Sequence, residues 1–396
     1  MDTKRSLCLA FVTETFPPEV NGVAMTVSRM VTGLLARGHR IILTRPRQHR
    51  HDQPAQSGSY HEQLAPGMVC PLYRDLRLGL PSVRLLLKAW REHRPDLVVV
   101  VTEGPLGWSA LRAAKQLGIP ALTEFHTNFH RYSEHYGFGW LKGPVTAYLR
   151  RFHNNGQLAL VPTSEIAEEL GRIGLQRVET VARGVDTQLY HPERRSDALR
   201  QHWGVSPQTQ VVAYVGRLAA EKNLPLVLQA FAAMREIRPD SRMVWVGDGP
   251  ERAALAAAHP EHVFCGIQRH EALASHYASA DAFLFASETE TYGNVTLEAM
   301  ASGLGVVAYN YAAARNHVRH RCNGLVAPLG DEEEFIELAR YAASYPSVMR
   351  DLGTAARRSV EAIGWDAIID RFETILSQLL QGRASLPPHP NAALAQ

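Results

Sequence analysis

Cysteine is scarce in this chain. The four present, Cys8, Cys70, Cys265 and Cys322, lie far apart with none of the paired spacing of a zinc site. Nothing calls for a disulfide framework, so reduced thiols in a cytoplasmic protein are the expectation. Long apolar runs are missing too, none approaching the roughly eighteen residues that cross a bilayer. Near the N-terminus, basic residues precede a short apolar run, Leu7–Val12, as they do in a signal peptide. That run meets Glu14 without a small-residue cleavage site and reads as a first strand. Several chemical signatures are also absent: the G-x-G-x-x-G dinucleotide fingerprint, the P-loop with its lysine, and the G-x-S-x-G nucleophile elbow. No D-x-D occurs, which removes the usual carboxylate pair for holding a metal–diphosphate.

What is there belongs to a globular α/β protein. The composition, 45% hydrophobic and 20% charged, suits a folded chain, and 396 residues exceed one ordinary core, so two domains are expected. Short continuous apolar runs alternate with helix-length amphipathic segments. They are Leu7–Val12, Ile41–Thr44, Leu97–Val101, Ala121–Glu124 and Leu158–Val161, then Val211–Val215, Met243–Val246, Ala282–Ala286 and Gly305–Ala308. Such runs suit parallel strands covered on both faces. The expected fold is therefore α/β, with two Rossmann-like, doubly wound domains facing a cleft, residues 1–190 and 191–364. A helix over 365–380, apolar at Ile368, Ile369, Phe372, Ile375, Leu376 and Leu379, is long enough to cross back to the first domain. Residues 381–396, with three prolines and no periodicity, read as a disordered tail. The polar stretch Arg47–Pro66 reads as a mobile surface loop. Residues 1–190 hold 23 Lys/Arg against 16 Asp/Glu and the remainder 19 against 23. A basic first half permits an anionic partner, phosphates or an anionic membrane surface; uneven solvated charge is the alternative.

The chemistry gathers around Ser287–Gly303. The apolar run Ala282–Ala286 leads into a turn holding Glu290, Tyr292, Gly293 and Asn294, and a helix beginning near Asn294 carries Val295 and Glu298. Two carboxylates thus bracket a strand-to-helix turn, where free backbone N–H groups favour an anion. A comparable turn, Val215-Gly-Arg-Leu-Ala-Ala-Glu-Lys-Asn-Leu224, places Arg217 and Lys222 after a strand, a fork and a point charge suited to a diphosphate. Solvated cations paired with Glu221 are the plainer reading. In the first half, Gly22 opens a helix over Val23–Arg37 after a loop with two prolines, where a ligand phosphate could approach the backbone. His126 follows the strand Ala121–Glu124; with His130 it has the spacing of a zinc helix, but Thr127 stands where the metalloprotease glutamate belongs. Residues 136–152 mix aromatics with Lys142, Arg150 and Arg151, which suits a lipid interface. Val145, Tyr148, Leu149 and Phe152 suit a core stripe equally well.

Together these residues resemble the retaining, nucleotide-sugar-dependent glycosyltransferases of family 4, with the GT-B fold. The resemblance rests on the E-x7-E pattern of Glu290 and Glu298, on Gly216-Arg-Leu with Glu-Lys-Asn223, on the glycine loop at Gly22 and on His126. Glu14-Thr-Phe-Pro-Pro-Glu-Val-Asn-Gly-Val-Ala and Phe125-His-Thr-Asn-Phe-His narrow it toward diacylglycerol glycosyltransferases, sulfoquinovosyl-diacylglycerol synthases and glycolipid α-mannosyltransferases. The resemblance implies that Glu298 holds the ribose and Glu290 sits by the donor sugar, with backbone N–H groups of Tyr292–Val295 on its hydroxyls and phosphates. It implies that Arg217 and Lys222 stabilise the leaving diphosphate and that Gly22 meets it from the other domain. The base would lie near Gly266, the Gly216 loop beside the phosphates, and His126 on the sugar. It implies no cofactor and no metal, a UDP- or GDP-linked donor, a lipid or glycan acceptor, and a cytoplasmic protein contacting the inner face of the membrane through 136–152. No nucleic-acid partner is expected. An epimerase or phosphorylase on the same fold, a non-catalytic nucleotide-sugar-binding protein, and an acceptor that is a cell-surface glycan or small sugar all stay open.

Overall fold

The computed structural model describes residues 5–19, 21–69, 77–126 and 142–382. Chain contacts divide it into two units. The first comprises the described residues up to His126, Pro144–Ala182 and those from Asp366 onward, and Arg183–Trp365 lie in the second.

The first unit holds β1 (Cys8–Val12), β2 (Arg40–Pro46), β3 (Gln56–Ser57), β4 (Tyr60–Ala65), β5 (Gly67–Val69), β6 (Arg77–Gly79), β7 (Leu97–Val100), β8 (Ala121–Glu124), β9 (Leu158–Val161) and β10 (Val178–Thr180). Its main sheet runs β10-β9-β8-β7-β1-β2-β4-β3, parallel except at β3, while β5 and β6 pair antiparallel. The second unit holds β11 (Val211–Val215), β12 (Arg242–Val246), β13 (Val263–Phe264), β14 (Ala282–Phe285), β15 (Gly305–Tyr309) and β16 (Leu325–Ala327), in the order β13-β12-β11-β14-β15-β16 and parallel throughout. All nine apolar runs of the sequence become strands. Their continuity reflects burial on both faces: Val98, Val99 and Val100, like Val211 and Val212, have no exposed surface. In each sheet the chain leaves its first strand to one side and later returns to the other, β2 against β7 about β1 and β12 against β14 about β11. Ligands of open α/β sheets bind beyond the strand ends at that switch point.

The helix Trp365–Leu380 packs, from Asp366 on, within the first unit. Phe372 is fully buried, with its ring centroid 6.4 Å from that of Phe11, and Ile369 lies against Gly33 so closely that a Cβ there would sit 2.1 Å from Ile369 Cδ1. Its buried Glu373 receives Arg37 Nη1 at 3.1 Å and lies 2.8 Å from His39 Nε2.

Arg47–Pro66 is not a mobile loop. It contains β3 and β4, and β4 lies parallel to β2. The reason is a buried ion cluster: Arg45 donates from Nη1 and Nη2 to both oxygens of Asp52 (2.6 and 3.0 Å) and from Nε to Glu62 (2.7 Å). Polar residues can line a buried strand face when they are paired in this way. The expected tail lies outside the described residues from 383 onward.

Candidate active site

The switch point of the second sheet gathers most of the expected residues. After β11, Gly216 takes φ +152 and donates its N–H to Val246 O. The loop after β12 crosses so close that a Cβ on Gly247 would lie 1.9 Å from Gly216 O, and Gly247 N donates in turn to Gly266 O at 2.9 Å. Only glycine admits that backbone-on-backbone contact, and it aligns the ends of three loops. The chain then makes a short 3₁₀ turn, Ala220–Lys222, which turns Lys222 toward β14, where its Nζ lies 2.5 Å from Glu290 Oε1. Ser287 Oγ donates to the same oxygen at 2.7 Å, and Tyr311 OH donates to Glu290 O at 2.8 Å. Burial opposes the charge on Glu290, but Lys222 and Ser287 outweigh it and hold the carboxyl below its usual range. Arg217 Nη1 meets the buried Glu221 at 3.4 Å, with two-fifths of the arginine side chain exposed. The plainer reading, cations paired with Glu221, describes Arg217, while Lys222 meets Glu290.

Gly293, at φ +87, caps the helix Asn294–Ala301. Asn294 Oδ1 is buried there with no hydrogen-bond partner, an acceptor of the kind a ligand hydroxyl satisfies. Tyr292 points away from the turn: its buried hydroxyl donates to Arg183 O (3.0 Å) and lies 3.0 Å from His317 Nε2, so only its backbone is left to meet a donor. Glu298 receives Tyr277 OH at 2.9 Å, and Tyr277 packs edge-on to Tyr190. Burial pushes the Glu298 carboxyl up, against the hydroxyls of Tyr277 and Tyr190.

Gly22 and His126 belong to the first unit. Gly22 opens the helix Gly22–Ala36, whose Asn21 cap accepts from Ala24 N, and a Cβ on Gly22 would meet nothing within 4 Å. Packing does not demand a glycine there. His126 follows β8, where its Nε2 lies 2.5 Å from Glu124 Oε2. The 136–152 segment is described from 142 on, as the helix Lys142–His153: Leu149 and Phe152 are core, while Tyr148, Arg150 and Arg151 are exposed. The rest of that segment lies outside the described residues. Sequence reasoning gave no role to Ser287, Asn223, Tyr277, Tyr311 or Gly247. Asn223, whose Nδ2 reaches Glu288 Oε1 at 3.3 Å, was in plain view beside Lys222.

Among the described residues one trio, His259, Glu261 and His262, brings metal-type ligand atoms within 4.8 Å of one another. Trp245 Nε1 donates to His262 Nδ1 at 3.2 Å, which places the ring hydrogen of the neutral imidazole on Nε2. Burial lowers the His262 pKa to about 4, so the ring is neutral and has no lone pair left for a metal.

Residues 20–189 match the sequence profile of Glycosyltransferase Family 4, and 209–344 that of Glycosyl transferases group 1. A GDP-mannose-dependent alpha-mannosyltransferase of Mycobacterium tuberculosis is 34% identical over 369 residues, 92% of this chain and 94% of that protein. The chain belongs to glycosyltransferase family 4. This family 4 enzyme is a hexosyltransferase that draws on a nucleotide sugar. It is also 30% identical to the sulfoquinovosyl transferase SQD2 of Arabidopsis thaliana over 75% of its own length and 59% of that protein's. Among solved structures it resembles sucrose-phosphate synthase of Thermosynechococcus elongatus (TM-score 0.77, 20% identity, 96% of this chain and 100% of the other). HepE of Anabaena in complex with UDP and glucose superposes with TM-score 0.72 at 18% identity over 94% of this chain and 99% of that one. The fold is GT-B. No helix of the described residues is long and apolar enough to cross a membrane.

Proposed function

We propose that this family 4 enzyme is a retaining mannosyltransferase that carries mannose from GDP-mannose to a hydroxyl of a membrane glycolipid, without a metal. The observation that carries the reading is Lys222 joined to Glu290 across the switch point, with Arg217 on the same loop. A cation held there meets charge growing on a diphosphate as the glycosyl bond breaks, the largest electrostatic task of the reaction. Three relatives that are GDP-mannose-dependent alpha-mannosyltransferases, at 33 to 34% identity, support the donor. SQD2 and an alpha-monoglucosyldiacylglycerol synthase of Streptococcus pneumoniae support a lipid acceptor.

In this reading the second domain takes the nucleotide sugar. Glu298 receives the ribose hydroxyls, Glu290 and Asn294 meet the sugar, and backbone at Gly216, Gly266 and Tyr292–Val295 lines the donor; the first domain, with Gly22 and His126, takes the acceptor. A retaining hydrolase flanks the bond with two carboxylates, one a nucleophile. Here Glu290 and Glu298 share one turn, which favours front-face displacement, with the leaving phosphate taking the acceptor's proton. The helix Lys142–His153 offers Tyr148, Arg150 and Arg151 to the inner face of the cytoplasmic membrane.

The test is a screen of GDP-, UDP- and ADP-sugars against a lipid extract, with and without EDTA, read by product mass and anomeric configuration. GDP-mannose giving an α-linked lipid in EDTA is the expected result. Transfer only to soluble glycans, or a trapped glycosyl–enzyme adduct, would sink the acceptor or the mechanism respectively. Charge reversal at Arg150 and Arg151 should abolish co-sedimentation with anionic vesicles.

Tyr277→Phe removes one hydroxyl that opposes the upward push of burial on Glu298. The carboxyl then protonates at higher pH, and its protonated form is a poorer acceptor for ribose. The donor KM is expected to rise about tenfold, the scale of one hydrogen bond to a charged group, and the rise should grow as the pH falls. A KM increase independent of pH would contradict the assignment of Glu298.

A further inference from the structure

After β15 the chain enters the short helix Ala312–His317. Ala312, buried at its start, takes φ +51, a left-handed conformation that residues with a Cβ enter at a cost. The residues on either side of it both grip the turn that carries Glu290. Tyr311 OH donates to Glu290 O at 2.8 Å, and Ala313 N donates to Tyr292 O at 2.6 Å. A strained residue between two such bonds persists because its surroundings require that conformation.

A trans peptide is planar, with its C=O and N–H opposed. The carbonyl of Glu290 shares a peptide with the N–H of Thr291, and that of Tyr292 shares one with the N–H of Gly293. Both carbonyls are drawn toward residues 311–313, so both N–H groups face the other way. Among the described residues, no acceptor meets the backbone N–H of any residue from Thr291 to Val295. Beside them Asn294 Oδ1 is a buried acceptor without a partner. Successive backbone donors left open at a turn and helix start suit an anion or the hydroxyls of a sugar.

We infer that Tyr311 and Ala313 are positioning residues for the donor: they hold the turn by its carbonyls and so keep the N–H groups of Thr291 and Gly293 aimed at the nucleotide sugar. The left-handed Ala312 lets one short segment offer a side-chain hydroxyl and a backbone N–H to the same turn. This rests on the reading above that the donor binds at that turn. It adds Thr291 to the groups that meet the donor and names what holds them in place. The alternative is that Tyr311 only packs its own helix.

Tyr311→Phe keeps the ring and removes the hydroxyl. Calorimetry gives its Kd for GDP-mannose, and thermal melting checks the fold. The expectation is a Kd about three to ten times weaker, the scale of one neutral hydrogen bond, with a nearly unchanged melting temperature. A Kd less than about threefold weaker would overturn the inference, and a lower melting temperature beside it would assign Tyr311 to packing. A second pair of variants asks the same of the backbone. Ala312→Gly accepts the left-handed conformation without strain and should keep the wild-type Kd; Ala312→Val resists it and should lose at least as much as Tyr311→Phe. Equal affinities in the two would overturn the inference. Glu298→Gln tests the underlying reading in the same assay. If it binds GDP-mannose as the wild type does, the donor lies elsewhere and the reading falls; if it binds weakly while Tyr311→Phe does not, only the positioning role falls.

Discussion

Lys222→Ala is expected to lower kcat by about a hundred- to a thousandfold, the cost of removing one preorganised group from a developing oxyanion. Lys222 sits in a tight 3₁₀ turn and is mostly buried against Glu290, so it does not have to be recruited from solvent when charge appears on the leaving diphosphate. The loss should fall on kcat more than on donor KM, because the charge it meets is larger in the transition state than in the bound substrate. Lys222→Arg should not restore activity fully, since a planar fork differs from a compact ammonium in both reach and geometry. Stability should fall as well, because Glu290 keeps its bond from Ser287 but loses its largely buried cation. Steady-state kinetics of the folded variants decide it: turnover within a few-fold of wild type would remove Lys222 from the chemistry. Arg217, more exposed and already engaged by Glu221, is the natural comparison.

The second large effect is on stability. Arg45→Leu leaves Asp52 and Glu62 buried without their cation, and breaking a buried pair in this way costs about 3–5 kcal/mol. Urea denaturation should show the loss at pH 7. Its pH dependence is distinctive. Arg45 holds Asp52 at about 2, below its ordinary 3.8, so the folded state binds its proton less readily than the unfolded chain. That contribution is fully present above the ordinary value and is lost as the pH falls toward 2. The gap between wild type and variant should therefore narrow between about pH 4 and pH 2. A gap that stayed constant over that range would mean that the arginine contributes by packing alone.

The same cluster explains where the sequence could not be read. The nine apolar runs were legible because strands buried on both faces have to be continuous in apolar residues. In contrast, Tyr60–Ala65 is a strand whose buried positions include Glu62, and nothing local marks that glutamate as the partner of Arg45, seventeen residues earlier. The candidate-site turn was legible for a different reason: Glu290, Gly293, Asn294 and Glu298 lie within nine residues, and one turn sets their geometry. Lys222's partner was not, because Glu290 lies 68 residues further on and is reached only through the order of β11 and β14. Tyr277 was hidden by resemblance: on the helix His270–Ser279 it reads as one more core aromatic, and only the bond from its hydroxyl to Glu298 sets it apart.

The helix that ends the described chain has a bearing on synthesis. Phe11, Gly33, Arg37 and His39 are made early, yet their partners Ile369, Phe372 and Glu373 leave the ribosome more than three hundred residues later. Until then, that face of the first unit is an apolar surface interrupted by a cationic one, with nothing to cover it. The nascent chain carries an unfinished domain for most of translation, a state that invites aggregation and chaperone capture. A stop codon a few turns too soon would thus do its harm at the opposite end of the polypeptide, leaving the turn from Glu290 to Glu298 intact in a molecule that cannot complete its first core.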